Sequence, residues 1–148
     1  MFSRILTVCI GNICRSPMAE VVLADRLAER GVAAVVQSAG LAALVGRGAD
    51  PTAKELVLEK GLDLSSHRAR QLTPALLRSF EVVLVMDAAQ QRGVEAILPS
   101  ARGRVHRIGA WGNFDVPDPY GRDRAAFELA LALIERGVEA FVQAFFSP

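Results

Sequence analysis

Val8–Pro17 reads VCIGNICRSP. Upstream lies an apolar, β-rich run, Arg4–Ile10 (RILTVCI), and downstream a helical pattern over Pro17–Arg30. A strand that passes through a short glycine-containing loop into a helix is the start of a strand–helix–strand unit. The rest of the chain repeats that alternation. Ala33–Ser38 (AAVVQS), Glu81–Met86 (EVVLVM) and Arg104–Ile108 (RVHRI) read as further strands, and Pro51–Lys60, Ala88–Leu98 and Arg122–Phe146 as further helices. The first and third strands are nearly continuous apolar runs, as strands covered on both faces should be. These signs predict an α/β fold: a single doubly wound domain over residues 1–148, with a four-stranded parallel sheet and helices on both faces.

Local signals fill in the outline. Ser16-Pro17 and Asp50-Pro51 each place a capping side chain before a proline, which predicts helix starts, and Gly31 and Gly61 predict helix ends. Phe127, Leu131, Ile134, Val138, Phe141 and Phe145 recur at helical spacing and should face the sheet. Gly40–Asp50 (GLAALVGRGAD) and Trp111–Arg122 (WGNFDVPDPYGR) are irregular and follow strands. Ligands of open α/β sheets bind outside those strand ends, so both loops should border a site.

Composition narrows the function classes. A formal net charge of +1 on 148 residues does not select for nucleic acid or an anionic membrane surface, both of which favour clustered positive charge. With 51% hydrophobic and 22% charged residues the chain is not disordered. Two cysteines five positions apart do not make a disulfide scaffold, and His67 and His106 lack neighbouring ligands for a metal. The apolar stretch Ile5–Ile10 is too short for a signal peptide core, and Glu128, Glu135, Arg136 and Glu139 interrupt the apolar C-terminal segment. A cytoplasmic protein without membrane insertion is expected.

The chemistry is concentrated in Cys9–Ser16. A glycine loop entering a helix aims backbone N–H groups and the positive end of the helix dipole at one point, where a phosphate or sulfate fits. The Gly-Lys-Ser/Thr ending of a nucleotide-binding loop is absent. Instead Cys9 opens the loop and Arg15 closes it, with five residues between. That spacing lets the loop wrap a tetrahedral oxyanion, with sulfur beneath and a bidentate guanidinium at the side. Amide donors aimed at a sulfur favour its anionic form, so Cys9 is expected to be a thiolate nucleophile for phosphorus.

Cys9-Ile-Gly-Asn-Ile-Cys14-Arg15-Ser16-Pro17 and Asp118-Pro119-Tyr120, with Ser38-Ala39-Gly40, Ser66-His67 and Met86-Asp87 between them, resemble the low-molecular-weight protein tyrosine phosphatases. The stretch SAGLAALVGRGADPTA is most similar to the bacterial branch that works with exopolysaccharide and capsule tyrosine kinases. The resemblance implies hydrolysis of phosphotyrosine through a phosphocysteine on Cys9, with Arg15 holding the phosphoryl group and Asp118 as general acid, then base. It implies inorganic phosphate as product, a phosphotyrosine protein such as a bacterial tyrosine kinase as partner, and no metal or cofactor. Ile10, Gly11, Asn12, Ile13, Cys14, Ser16, Leu44 and Tyr120 are then the substrate-binding set, and Ser38, His67 and Asp87 support the loop. Tyr120 forms one wall of the slot; Leu44 or Leu41 takes the opposite place, often aromatic in eukaryotic relatives. Gly121 stands where those relatives tend to have a second tyrosine.

Each residue also has a plainer reading. Cys14 either traps an oxidised Cys9 as a disulfide or is a packed thiol. Asp87 either caps the following helix or steadies the site. His67 reads as a structural histidine, and Arg47, Arg68 and Arg70 as a solvated positive rim. Arsenate reductase is a competing activity, but the chain has no cysteine beyond Cys14 to pass a disulfide outward. Phosphoarginine hydrolysis is another, though enzymes for it carry threonine where Ile13 stands. A non-catalytic phosphate-binding module would not need Cys9, Arg15 and Asp118 together.

Overall fold

The two apolar runs become the middle of the sheet. A computed structural model describes residues 2–146. In chain order it contains β1 (Arg4–Cys9), α1 (Arg15–Glu29), β2 (Val35–Gly40), α2 (Pro51–Leu58), α3 (Pro74–Arg78), β3 (Val82–Val85), α4 (Ala88–Ile97), a 3-10 turn (Pro99–Ala101), β4 (Val105–Arg107) and α5 (Arg124–Phe146). The sheet order is β2-β1-β3-β4 and every pairing is parallel, with Thr7 opposite Ser38 on one side and Leu84 on the other. β1 leads outward in both directions, so the order reverses beside its C-terminal end, where such sheets bind ligands.

Alternation along the strands divides the interior. Ile5 and Cys9 of β1 and Val82 and Leu84 of β3 pack with α1, α2 and α5, whereas Leu6, Val8, Val83 and Val85 pack with Leu77 of α3 and Val94 of α4. The α5 stripe is buried as expected through Phe127, Leu131, Ile134, Val138 and Phe141. It departs at its end, where Phe145 is 37% exposed and Phe146 turns inward instead. Among the described residues no helix is long and apolar enough to cross a membrane.

Three local expectations need correction. β2 starts two residues later than predicted, because its first residues lie beyond the end of the β1 pairing register. α1 begins at Arg15 rather than Pro17, and Ser16 does not cap it; the cap position is Cys14, with no side-chain hydrogen bond. The Ser16 hydroxyl is engaged in the site instead. α3 was not anticipated, although Thr73-Pro74 carries the same signal as Asp50-Pro51: Thr73 accepts from Leu76 N as Asp50 accepts from Thr52 N. Gly31 (φ 71°) and Gly61 (φ 79°) do sit in left-handed conformations where the helices stop.

Gly137 sets how closely α5 approaches the end of β4. A Cβ there would lie 2.5 Å from the carbonyl oxygen of Ile108. In an open helix, replacing glycine by alanine stabilises by roughly 1 kcal/mol. Here the backbone contact reverses the sign: Gly137→Ala should destabilise by about 1–3 kcal/mol, read as a lower denaturant midpoint.

The N-terminal segment is tied to β3 by one carboxylate. Glu81 Oε1 accepts from Ser3 N (2.8 Å), Ser3 Oγ (2.8 Å) and Arg4 N (3.1 Å). These bonds, the Ser3 amide first, hold the Glu81 carboxyl below its ordinary value of 4.5. A depressed carboxyl stabilises the fold above its ordinary value and loses that contribution as protons are added. The stability difference between the parent and Glu81→Gln should therefore be flat at neutral pH and shrink as the pH falls below 4.5. Thermal melts across that range read it directly.

Candidate active site

Five consecutive carbonyls of the loop after β1 face outward, each held by a donor. Cys9 O accepts from Leu41 N (2.9 Å), Ile10 O from Ala42 N (3.0 Å), Gly11 O from Leu44 N (3.0 Å) and Ile13 O from Asp50 N (2.8 Å). Asn12 O accepts from His67 Nε2 (2.7 Å), which fixes the proton on that ring nitrogen. Within a trans peptide the N–H points opposite to the C=O. Turning the carbonyls out therefore turns the following amides in, and the N–H groups of Gly11, Asn12, Ile13 and Cys14 donate to no protein acceptor among the described residues. Gly40 allows the loop to lie this close to β2, since a Cβ there would sit 2.5 Å from Ile10 O.

Asn12 closes the loop. Its φ of 59° is left-handed, a region asparagine enters more readily than most residues. Its side chain is satisfied on every side: Nδ2 donates to Ser16 Oγ (2.8 Å) and Ser38 Oγ (3.0 Å), and Oδ1 accepts from Arg70 N (3.0 Å). Ser16 Oγ lies 2.9 Å from Cys9 Sγ. Because Ser16 accepts from Asn12, its own proton is free to point at the sulfur. Thr7 Oγ1, 2.9 Å from Ser16 O, pins the first turn of α1 beneath.

Arg15 joins the loop to two later segments. Its Nη1 donates to Val116 O (2.9 Å) and lies 3.7 Å from Asp87 Oδ2, and its Nη2 lies 3.8 Å from Asp118 Oδ2. The guanidinium is almost wholly buried, at 4% exposure. Asp87 is the cap of α4, its Oδ1 accepting from Gln90 N (2.9 Å), while its Oδ2 faces Arg15. Asp118 Oδ1 accepts from Tyr120 N (3.1 Å), which leaves Oδ2 turned toward the loop.

These groups surround a cavity of about 170 Å³ lined by Cys9, Ile10, Gly11, Ile13, Cys14, Arg15, Ala42, Leu44, Asp118 and Tyr120. Asn12 and Ser16, expected to touch substrate, are fully buried behind the loop and do not line it with their side chains. Leu44, not Leu41, faces Tyr120; Leu41 packs toward Gly93 in the other layer. Cys9 and Cys14 are both free thiols. Burial, with the charges of Asp50, Cys9 and Asp118, pushes the Cys14 thiol well above its ordinary value, against a weaker pull from Arg15. Cys14 is thus a neutral thiol at physiological pH.

Of the strap formed by residues 67–72, the sequence singles out only His67 as supporting the loop. Arg70 is half-buried and engaged: Nε donates to Ser38 O (2.9 Å) and Nη2 to Gln37 Oε1 (2.7 Å). Gln71 Oε1 accepts from Ala43 N (3.0 Å) and its Nε2 donates to Leu41 O (2.8 Å), fixing the wall that carries Leu44. The Ala-Arg-Gln run gives no periodic or motif signal of that duty.

The family described as "Low molecular weight phosphotyrosine protein phosphatase" matches residues 4–146. The chain belongs to that family. It is similar to the probable low molecular weight protein-tyrosine-phosphatase EpsP of Ralstonia solanacearum, at 50% identity over 96% of this chain and 95% of that one. Among solved structures it superposes on the tyrosine phosphatase AmsI of Erwinia amylovora with a TM-score of 0.93, at 40% identity, covering 99% and 95% of the two chains. The Wzb protein of Vibrio vulnificus, solved in complex with benzylphosphonate, gives a TM-score of 0.92 at 38% identity, covering 98% and 100%. Asn12 links the loop to Ser16, Ser38 and Arg70 through its three side-chain hydrogen bonds. Asn12→Ala should weaken inorganic phosphate binding about 10- to 100-fold by calorimetry. Asn12→Gly, which restores the left-handed conformation but not the three hydrogen bonds, should fall between the variant and the parent.

Proposed function

We propose that this chain hydrolyses phosphotyrosine through a covalent phosphocysteine. The observation that carries the reading is the ring of inward amides, closed by Arg15, above the Cys9 sulfur. A group with three equatorial oxygens satisfies those donors, and phosphoryl transfer depends chiefly on positioning and on stabilising charge at those oxygens. Cys9, as thiolate, attacks phosphorus and the bond to the tyrosyl oxygen breaks; Asp118, with its Oδ2 side open to the cavity, supplies the proton that makes the phenol a better leaving group. The same carboxylate then takes a proton from water as it attacks the phosphocysteine, releasing inorganic phosphate and the thiolate, which the Ser16 hydroxyl stabilises. Protein groups and water supply every step, so the mechanism calls for no metal or cofactor.

The slot above the anion favours an aryl group. Ile13, Ala42, Leu44 and Tyr120 give it apolar walls. The benzylphosphonate complex of the Vibrio vulnificus relative supports this, because that ligand joins an aromatic ring to a tetrahedral phosphorus. For the protein that bears the phosphotyrosine, we propose an autophosphorylated tyrosine kinase of polysaccharide export. The SAGLAALVGRGADPTA stretch, similar to the bacterial branch that works with such kinases, supports that choice. Mixing this chain with such a kinase should strip its phosphotyrosine in an immunoblot; a kinase that stays fully phosphorylated rules the partner out.

With para-nitrophenyl phosphate, Cys9→Ser should show no measurable turnover while still binding phosphate. Asp118→Ala should lower kcat about 10²- to 10⁴-fold with phosphate affinity retained. Mass spectrometry of quenched Asp118→Ala should find the phosphoryl group on Cys9. Full turnover by the Cys9→Ser variant would overturn the mechanism.

A further inference from the structure

Beside the catalytic cavity lies a second cleft, of about 290 Å³, and Asp118 stands in the wall between them. We infer that this cleft, between the acid loop and the start of α5, is a specificity subsite for an apolar side chain next to the phosphotyrosine. The inference rests on the phosphotyrosine reading and extends it to the polypeptide around the phosphate.

The walls decide the chemistry. Pro117, Ala125, Ala126 and Leu129 line the cleft with hydrocarbon, and Leu129, on the solvent side of α5, is 53% exposed. Nothing in the described residues covers that leucine. The charged groups weigh against an acidic occupant. Asp123 Oδ1 is committed to Ala126 N (3.0 Å) and Asp118 Oδ1 to Tyr120 N (3.1 Å), and the two carboxylates together repel an acidic side chain. Arg122, brought back to the cleft by the turn in which its N–H donates to Pro119 O (2.9 Å), has no side-chain partner among the described residues, and one guanidinium against two carboxylates leaves the lining acidic. The aliphatic stem of Arg122 adds to the hydrocarbon wall. A neutral apolar side chain meets none of these penalties and removes Leu129 from water.

Position gives the cleft its consequence. An occupant abuts Asp118, whose Tyr120 amide bond and Arg15 contact fix its direction. Tyr120, 54% exposed, bounds the catalytic slot from the same loop. A peptide that inserts its phosphotyrosine past Tyr120 therefore carries a neighbouring residue across the loop toward Leu129.

The test is a set of phosphotyrosine peptides with Leu, Ser, Glu or Lys at each position flanking the phosphotyrosine. The parent should favour Leu over Ser at one flanking side by about tenfold in kcat/KM, with Glu below Ser. Leu129→Ser should erase that preference, read as the ratio of the two peptides within one variant, so that a general loss of activity cannot imitate it. Arg122→Gln should raise the Lys peptide relative to Ser and leave the Leu preference in place. Equal rates for all parent peptides, a preference for Glu or Lys, or a Leu preference that survives in Leu129→Ser would each overturn the subsite. Para-nitrophenyl phosphate separates the two readings: a parent that fails to hydrolyse it defeats the phosphatase mechanism and the subsite together, whereas a parent that does so places any negative peptide result on the cleft alone.

Discussion

A peptide plane cannot point both its dipoles at the same place, and the whole site follows from that constraint. To turn four amides toward one anion, the loop after β1 must send its carbonyls into the body of the protein, where each would be costly without a donor. The segments after β2 and around His67 supply those donors. The anion site is thus made from behind, by groups that never approach the anion.

The same logic governs Asn12 and Arg15. A left-handed residue and a buried guanidinium are each unfavourable alone. Asn12 is held by three side-chain hydrogen bonds and Arg15 by a carbonyl and two carboxylates, so neither needs a ligand to stay in place. Preorganisation of this kind removes reorganisation from the moment of reaction. It also fixes the loop that carries Asp118, because the carbonyl that holds Arg15 belongs to Val116, two residues before that aspartate.

What could be read from the chain was whatever side chains encode locally. The apolar runs of β1 and β3, the stripe of α5, the cysteine–arginine spacing and the aspartate at 118 all carry their meaning in residue type and interval. The outward carbonyls could not be read, since their donors are mostly backbone amides of Leu41, Ala42, Leu44 and Asp50, which every sequence possesses. Ser16 misled only as a helix start: a serine before proline signals a cap, while the Cys9 sulfur of the same loop takes its hydroxyl. Arg70 misled because an arginine close to Arg68 and Gln71 looks solvated, and only the crossing of residues 67–72 over β2 brings it to Ser38 O and Gln37 Oε1. α3 was missed despite a legible start, because five residues are too few to show a period.

That crossing strap has one more consequence. β2 is an outer strand, and an outer strand offers unpaired amides and carbonyls to any other chain that can align with it. Gln71 bridges to Gly40 in parallel, Gly40 N donates to Arg70 O and Leu72 N to Gly40 O, so the end of β2 beside the site is already occupied. Colloidal behaviour and chemistry are therefore linked through a few residues: damage to the strap that loosens Asn12 also uncovers a template for self-association.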